Sequence, residues 1–268
     1  MSFIFAFSQL VPEHSLMEFS ISLSICILLA IFAYWRKILD AGGSVASFIV
    51  GIVIAIFGNI YWLITLIGFL IVTFIVTKLD FNYKQSKGVA QGKHGERNAK
   101  NVFANGLIPA VIPVFRYWLG DPVTGFLFII AICEAASDSF ANEIGVLSNK
   151  TYLITSLKTR VRPGTHGGVS VLGEASGLMG AFIPAFLGWV LISEFNHNLI
   201  TVSNSPQMPM NAATLMLPML IGFLGCHIDS VLGATLQRKK LISNDTVNFL
   251  SVVSCVLIGL GIVFFTSI

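Results

Sequence analysis

Long apolar runs alternate with short polar segments along almost the whole chain. A helix needs about 20 mostly apolar residues to cross a bilayer, because each residue adds about 1.5 Å of rise. Eight runs are candidates, with edges defined to within a few residues: 19–35, 44–57, 60–77, 102–119, 123–141, 169–192, 212–234 and 247–265. The pattern therefore predicts an all-α fold, a polytopic transmembrane helix bundle of about eight spans (seven to nine), in a single integral membrane domain over residues 1–268.

The second and third runs leave two arrangements open. Gly58 and Asn59 are the only break between them, and residues 44–77 are just enough for a tight helical hairpin. A re-entrant pair of half-helices fits the same pattern. Both arrangements give the rest of the chain the same sidedness.

The composition excludes a soluble globular enzyme, a disordered chain and a disulfide scaffold. Hydrophobic residues make up 55% and charged residues 11% of the 268 residues, whereas a soluble domain carries about 25% charged residues. The mean hydropathy is +0.83. The four cysteines lie far apart within apolar runs, which indicates reduced packing residues; they are Cys26, Cys133, Cys226 and Cys255.

The basic residues are distributed unevenly between the two sides of the predicted bundle. If eight spans alternate, 15 of the 16 lysines and arginines fall on one side, and Arg116 alone falls on the other. By the positive-inside rule the basic side is cytoplasmic and both termini lie outside. We therefore expect a multi-pass integral protein of the cell (plasma) membrane, with short loops and an active site that face the cytoplasm. The net charge of +3 gives no indication of a nucleic-acid partner.

Carboxylates near membrane depth are the first candidates for chemistry. A charge is energetically costly there, so a charged residue at that depth usually has a function. Five acidic residues are of this kind: Glu134, Asp138, Glu143, Glu174 and Asp229. They gather mainly towards the cytoplasmic ends of spans. We predict that Asp138, Glu143 and Asp229 are the catalytic carboxylates and bind a divalent cation, for which Mg²⁺ is the best candidate.

Polar and glycine-rich segments at the same ends of spans indicate a phosphate site. Glycines at the start of a helix let backbone amides approach an anion, and the helix dipole strengthens the attraction. Such a segment opens the sixth span, two arginines precede it, and asparagines open the fourth and eighth spans. The predicted phosphate- or nucleotide-binding residues are Arg97, Asn101, Asn105, Arg160, Arg162, Gly164, Thr165, Gly167, Gly168 and Asn248.

Each feature also has a purely structural interpretation. An Asp at a helix end can be a cap or the partner of a loop lysine, glycines can serve close helix packing, and loop lysines can be topology signals. His94, His166 and His227 lack the spacing of a zinc site. The coincidence of six polar motifs at the cytoplasmic ends of spans favours one functional site.

Five of these motifs together carry a family resemblance. In order they are GERNAKNVFANG, ASDSFANEIG, RPGTHGGVS, IDSVLGATLQ and NDTVN. From about residue 40 to the end, the chain resembles the multi-pass membrane family that contains the plant phytyl-phosphate kinase and the animal transmembrane protein nineteen. Asn142 and His166 depart from the pattern expected for the family, and neither departure removes a carboxylate.

The resemblance implies an isoprenoid-alcohol-phosphate kinase. Such an enzyme converts a phytyl or prenyl monophosphate to the diphosphate with a nucleoside triphosphate, for which CTP is expected, and Mg²⁺. The implied partners are the nucleotide, the isoprenoid monophosphate lipid and the surrounding membrane lipids. Because the motifs match residue by residue, the resemblance supports the roles given above to the glycine-rich segment and to seven side chains: Arg97, Asn101, Asn105, Asp138, Glu143, Asp229 and Asn248.

Two other functions remain open from the residues alone. A CTP-dependent lipid-phosphate cytidylyltransferase would use the same ligands but release pyrophosphate. An ion-coupled membrane transporter would also need buried carboxylates and glycine-broken helices, although it should place them near the midplane of the membrane.

Overall fold

Helices form most of the computed structural model, which describes residues 16–90, 96–195 and 209–266. The helices in these ranges are α1 (Leu16–Trp35), α2 (Ala41–Phe57), α3 (Ile60–Lys78), α4 (Phe81–Ser86), α5 (Ala99–Val111), α6 (Arg116–Leu119), α7 (Asp121–Gly145), α8 (Val171–Gly188), α9 (Ala212–Leu232) and α10 (Asn244–Thr266). A 3₁₀ turn (Ile112–Phe115) joins α5 to α6, and π-helical segments extend α8 (Trp189–Phe195) and α9 (Gly233–Gln237).

The apolar helices confirm the predicted bundle of about eight spans. Six helices of the described ranges are long and apolar enough to cross a membrane, and two shorter apolar helices (Ala41–Phe57 and Ala99–Phe115) accompany them. The second and third runs are separate helices, α2 and α3. Asn59 begins α3 as its N-cap, because its side chain accepts hydrogen bonds from the amides of Tyr61 and Trp62.

Helix α7 is the centre of the bundle. Its eleven consecutive side chains from 126 to 136 are at most 2% exposed, and α3, α5, α8, α9 and α10 all contact it. Glycines allow two of these neighbours to approach closely. A side chain at Gly222 of α9 would overlap Cys133, and one at Gly188 of α8 would lie 2.5 Å from Ile129. The glycines of these two spans therefore do serve helix packing.

The predicted fourth span, 102–119, is not one continuous helix. It begins at Ala99 and tightens into the 3₁₀ turn after Val111. Pro109 and Pro113 lie within this stretch, and a proline has no backbone N–H to donate to the preceding turn.

A three-stranded sheet connects α7 to α8, where the sequence indicated only a polar loop. Its strands are β1 (Thr151–Leu153), β2 (Ser156–Val161) and β3 (Gly168–Val169). Their order is β2-β1-β3, and both pairings are antiparallel, with Tyr152 opposite Arg160 on one side and opposite Val169 on the other. The sixth span therefore begins at Val171 and not at Val169, which belongs to β3.

Side-chain caps fix the start of three helices at the basic end of the bundle. Asp40 accepts from the amide of Gly43 (2.6 Å), Asn98 from that of Asn101 (3.0 Å) and Ser170 from that of Gly173 (3.1 Å). Each cap satisfies an amide that a helix start leaves free, which is worth about 1 kcal/mol. The caps define where α2, α5 and α8 begin, and α5 and α8 begin beside the cavity described next.

Candidate functional site

A polar cavity of about 460 Å³ lies at one end of the bundle. It is the end where α7 and α9 finish and where α5, α8 and α10 begin. The polar motifs at the basic ends of five spans therefore meet in one place, as the sequence predicted. The predicted residues that line the cavity are Arg97, Asn101, Asp138, Glu143, Gly164, Thr165, Gly167, Gly168, Asp229 and Asn248.

Two carboxylates from different helices meet in this cavity. Asp138 of α7 and Asp229 of α9 both line it, and the side chains of the two residues interact with each other. Asn142 donates its Nδ2 to Oδ1 of Asp138 at 2.8 Å. With its amide nitrogen oriented towards Asp229, Asn248 of α10 donates to Oδ2 of that residue at 3.3 Å. Two carboxylates so close repel each other unless a cation or a shared proton lies between them.

The pair of carboxylates fits a magnesium ion better than the predicted trio. Mg²⁺ in phosphoryl-transfer sites is bound by one or two carboxylates together with substrate phosphates and water, and Asp138 and Asp229 provide such a pair. Glu143 has a different partner. Within the described ranges, no three His, Cys, Asp or Glu side chains are grouped so that they could bind a metal ion together.

Glu143 forms a buried ion pair with Lys84, a residue that the sequence indicated only as a topology signal. The Nζ of Lys84 lies 2.6 Å from Oε2 of Glu143 and donates to the carbonyls of Val76 (3.2 Å) and Thr77 (2.8 Å). The Lys84 side chain is fully buried. It therefore joins the C-terminal end of α3, where carbonyls lack helical partners, to the end of α7.

Arg97 brings a cation next to these carboxylates. Its backbone is fixed against the turn before α2, because its amide donates to Ile38 (3.0 Å) and its carbonyl accepts from Asp40 (3.1 Å). A side chain at Gly43 would lie 2.5 Å from that carbonyl, so the contact requires glycine. Burial lowers the pKa of Arg97, and the charges of Glu143 and Asp138 oppose that shift, so the guanidinium stays charged at neutral pH.

The glycine-rich segment forms one wall of the cavity. Gly164 and Gly167 have φ angles of +79° and +73°, which residues with a side chain rarely adopt. A side chain at Gly167 would overlap Ala234, and the amide nitrogen of Gly167 lies 3.1 Å from where a Cβ of Gly233 would be. The segment is therefore docked on the π-helical end of α9, and it leads through Ser170 into the N-terminus of α8.

Comparison with known proteins places the chain among integral membrane proteins. Residues 24–256 match the family described as Integral membrane protein DUF92. The chain belongs to this family. The DUF92 match and the plant relative below confirm the resemblance that the five motifs indicated.

Three relatives illustrate the range of the family. An uncharacterised membrane protein of Methanocaldococcus jannaschii is 30% identical over 91% of this chain and 94% of its own length. Protein VTE6, chloroplastic, of Arabidopsis thaliana is 31% identical over 80% of this chain, which spans 62% of the plant protein. An uncharacterised membrane protein of Synechocystis is 28% identical over 85% of this chain and 83% of its own length. No solved structure matches.

Three predicted phosphate-binding residues of this family member lie away from the cavity. Arg160 points along the sheet, and its guanidinium donates to the carbonyl of Asn149 at 2.6 Å. Arg162 is exposed, and neither arginine is among the described residues that line the cavity. Asn105 donates to the carbonyl of Asn101 one turn above it (3.0 Å). Gly95, the first residue of the first motif, lies outside the described residues.

Several residues at the cavity were not among the predicted catalytic or binding residues. Gln237 and Asn244 form a hydrogen-bonded pair at the rim (3.1 Å), beside His166. Glu174, in the first turn of α8, also lines the cavity. Gln237 lies within a family motif and Glu174 is an acid near membrane depth, so both signals were present. Lys84 gave no such signal, because its partner Glu143 is 59 positions away.

Proposed function

We propose that this protein is an isoprenoid-alcohol-phosphate kinase. It transfers the γ-phosphoryl group of a nucleoside triphosphate, CTP in our proposal, to a phytyl or prenyl monophosphate, and the lipid diphosphate and a nucleoside diphosphate are the products. The observation that supports this most is the pairing of Asp138 with Asp229 in one cavity with Arg97 and the glycine-rich segment. Membership of the DUF92 family and the similarity to VTE6 support it independently.

The cavity residues suit a reaction that depends on positioning and charge neutralisation. Asp138 and Asp229 would bind Mg²⁺, which supplies charge neutralisation to the phosphate oxygens when it is bound. Arg97 would contact a phosphate oxygen through its guanidinium. The backbone of 164–168 and the N-terminus of α8 would orient the remaining phosphate oxygens.

The acceptor needs little activation by the protein. A phosphate monoester carries between one and two negative charges at neutral pH. One of its oxygens attacks the γ-phosphorus, the bond from that phosphorus to the bridging β–γ oxygen breaks, and the nucleoside diphosphate leaves with that oxygen. Residues that position two anions therefore suffice, and no general base is required.

The cavity lies at the end of the bundle that the sequence predicts to be rich in lysine and arginine. By the positive-inside rule we propose that it faces the cytoplasm of the cell, in the plasma membrane. A nucleotide would reach it from the aqueous side. The lipid monophosphate would reach it from the bilayer.

Product analysis tests the proposal. Purified protein is incubated with phytyl, geranylgeranyl or farnesyl monophosphate and each of four nucleoside triphosphates, and the products are measured by mass. We expect a lipid diphosphate and a nucleoside diphosphate. A CDP-lipid with pyrophosphate would identify a cytidylyltransferase instead, and no product with any pair would reject both enzymes.

Metal binding is tested without turnover. A ligand that binds only the folded state raises the melting temperature by mass action. We expect Mg²⁺ to stabilise the wild-type protein, and Asp138→Asn and Asp229→Asn to abolish that stabilisation while the protein still folds and inserts. If Mg²⁺ raised the melting temperature of both variants as much as that of the wild type, the metal would bind elsewhere.

A further inference from the structure

An ion pair bridges α8 and α9 at the edge of the cavity. Oε2 of Glu174 lies 2.9 Å from Nε2 of His227. The other ring nitrogen, Nδ1, lies 2.9 Å from the carbonyl oxygen of Phe223. A carbonyl only accepts, so Nδ1 carries the hydrogen of that bond, which fixes the ring and directs Nε2 towards Glu174.

The pair lies at the edge of the stripe of both helices that faces outwards. Residues three and four positions before and after a helical residue share its face. On one flank of Glu174 these are Val171 and Leu178, which are 88% and 39% exposed, whereas Ser170 and Gly177 on its other flank are buried. For His227 they are Leu224 and Val231, which are 47% and 42% exposed.

In a membrane protein an exposed apolar stripe contacts lipid chains. The side chains of Glu174 and His227 are themselves 39% and 35% exposed within that stripe. Charged groups in such a position are costly, and they mark a function more often than packing.

Glu174 also belongs to the wall of the polar cavity. It lines the cavity together with Gly173 of its own helix and Cys226 of α9, whereas His227 is not among the described residues that line it. Glu174 therefore borders the cavity, and its partner His227 lies beyond the cavity lining. At this point one ion pair separates the polar cavity from the apolar surface of the bundle.

We propose that the hydrocarbon chain of the lipid substrate leaves the cavity between α8 and α9, at the Glu174–His227 pair, which is the lateral opening to the bilayer. This assignment rests on the proposed function, since it takes a lipid monophosphate as the substrate. The phosphate head lies in the polar cavity, and the chain lies along Leu178 and Leu224. The ion pair separates when the chain passes, and its groups remain beside the polar head.

Photolabelling locates the chain directly. The probe is a farnesyl monophosphate with a diazirine near the end of its hydrocarbon chain, bound to the full-length protein in lipid nanodiscs. We expect the label on peptides of α8 and α9 around Leu178 and Leu224, and we expect excess geranylgeranyl monophosphate to remove it. Competed label confined to α1, α5 or α10 would overturn the assignment.

Obstruction of the opening gives a second test. Leu178→Trp and Leu224→Trp place a bulky ring beside the chain. Exclusion of part of the 20-carbon chain removes the apolar contacts of several CH₂ groups, so kcat/KM for geranylgeranyl monophosphate should fall at least about tenfold. For the five-carbon dimethylallyl monophosphate, kcat/KM should change less than about twofold, because its short chain need not pass the ion pair.

A matched control separates obstruction from a general effect of tryptophan. Leu28→Trp makes the same exchange at an exposed position of α1, and it should leave the ratio of the two substrates unchanged. If Leu178→Trp and Leu224→Trp lowered kcat/KM equally for both substrates, or lowered neither, the lateral opening would be contradicted. Competed label on α8 and α9 without any turnover would reject the kinase but keep the opening.

Discussion

Arg97 and the pair Arg160 and Arg162 have different positions relative to the carboxylates. Arg97 precedes α5, and its charge interacts with Asp138 and Glu143. Arg160 binds a backbone carbonyl of its own sheet, and Arg162 is exposed. The sequence alone could not distinguish them, because Arg97 and Arg162 both lie within a family motif and Arg160 lies two residues before one.

Substitution of these arginines should therefore have unequal effects. A charge-assisted hydrogen bond is worth about 1.5–3 kcal/mol, so Arg97→Ala should raise the KM of the nucleotide or of the lipid phosphate at least about tenfold. The double variant Arg160→Ala, Arg162→Ala should raise either KM less than Arg97→Ala does. Steady-state kinetics with both substrates measures this, and a larger effect of the double variant would return Arg160 and Arg162 to the phosphate site.

The Lys84–Glu143 pair makes a prediction about stability. Removal of one partner of a buried ion pair leaves an uncompensated charge and costs about 3–5 kcal/mol. Lys84→Met should therefore lower the free energy of unfolding by about that amount, measured by denaturation in detergent.

Two further variants control this measurement. Lys87→Met, at an exposed position on the same segment, should cost less than about 1 kcal/mol. The double variant Lys84→Met, Glu143→Gln should regain part of the loss, since it removes both charges. If Lys84→Met is no less stable than Lys87→Met, the ion pair does not join α3 to α7.

At the scale of elements, helix α9 is positioned by its glycines. A side chain at Gly222 would overlap Cys133 and the backbone of Glu134 on α7, and Asp229 lies two turns further along α9. Gly222→Ala should destabilise the protein by about 1–3 kcal/mol through overpacking, and it should lower kcat because Asp229 moves away from Asp138. The control is Gly261→Ala on α10, because no neighbouring atom lies within 4 Å of the Cβ position of Gly261. If the two variants lowered the melting temperature equally, close packing at Gly222 would be contradicted.

The sequence predicted elements well where one physical rule dominates. Long apolar runs indicated the spans, because a bilayer requires length and hydropathy and little else. The sheet was missed because strands of two to six residues, exposed in β2 and partly buried in β1 and β3, have no clear alternation of polar and apolar positions.

Only the part of the candidate site that lies within local sequence motifs was predictable. The motifs indicated that Asp138, Asp229 and the glycine-rich segment would meet, since they lie at the same ends of spans. They could not show that Glu143 pairs with Lys84 or that Glu174 pairs with His227, because those partners are on different helices and their contacts depend on tertiary packing.

At the scale of the whole molecule, the membrane topology determines which side of the membrane the cavity faces. We propose one cytoplasmic site, because the sequence predicts a 15-to-1 distribution of basic residues and the cavity lies at the basic end. Cysteines introduced at Lys87 and at Asn204, which lies outside the described residues, should react with an impermeant maleimide from opposite sides, Lys87→Cys from the cytoplasm. Labelling of both from one side of intact cells would contradict the span count and the location of the cavity.

The fate of a labelled phosphate measures phosphoryl transfer most directly. Wild-type protein, Asp138→Asn and Asp229→Asn are each incubated with geranylgeranyl monophosphate, Mg²⁺ and CTP that carries ³²P at either the γ or the α position. We expect γ-label in the lipid diphosphate with the wild type, and no labelled lipid with either variant, because asparagine retains the shape but removes the charge that binds the metal. Lipid labelled from the α position, or γ-transfer by both variants at the wild-type rate with saturating Mg²⁺, would contradict phosphoryl transfer at Asp138 and Asp229.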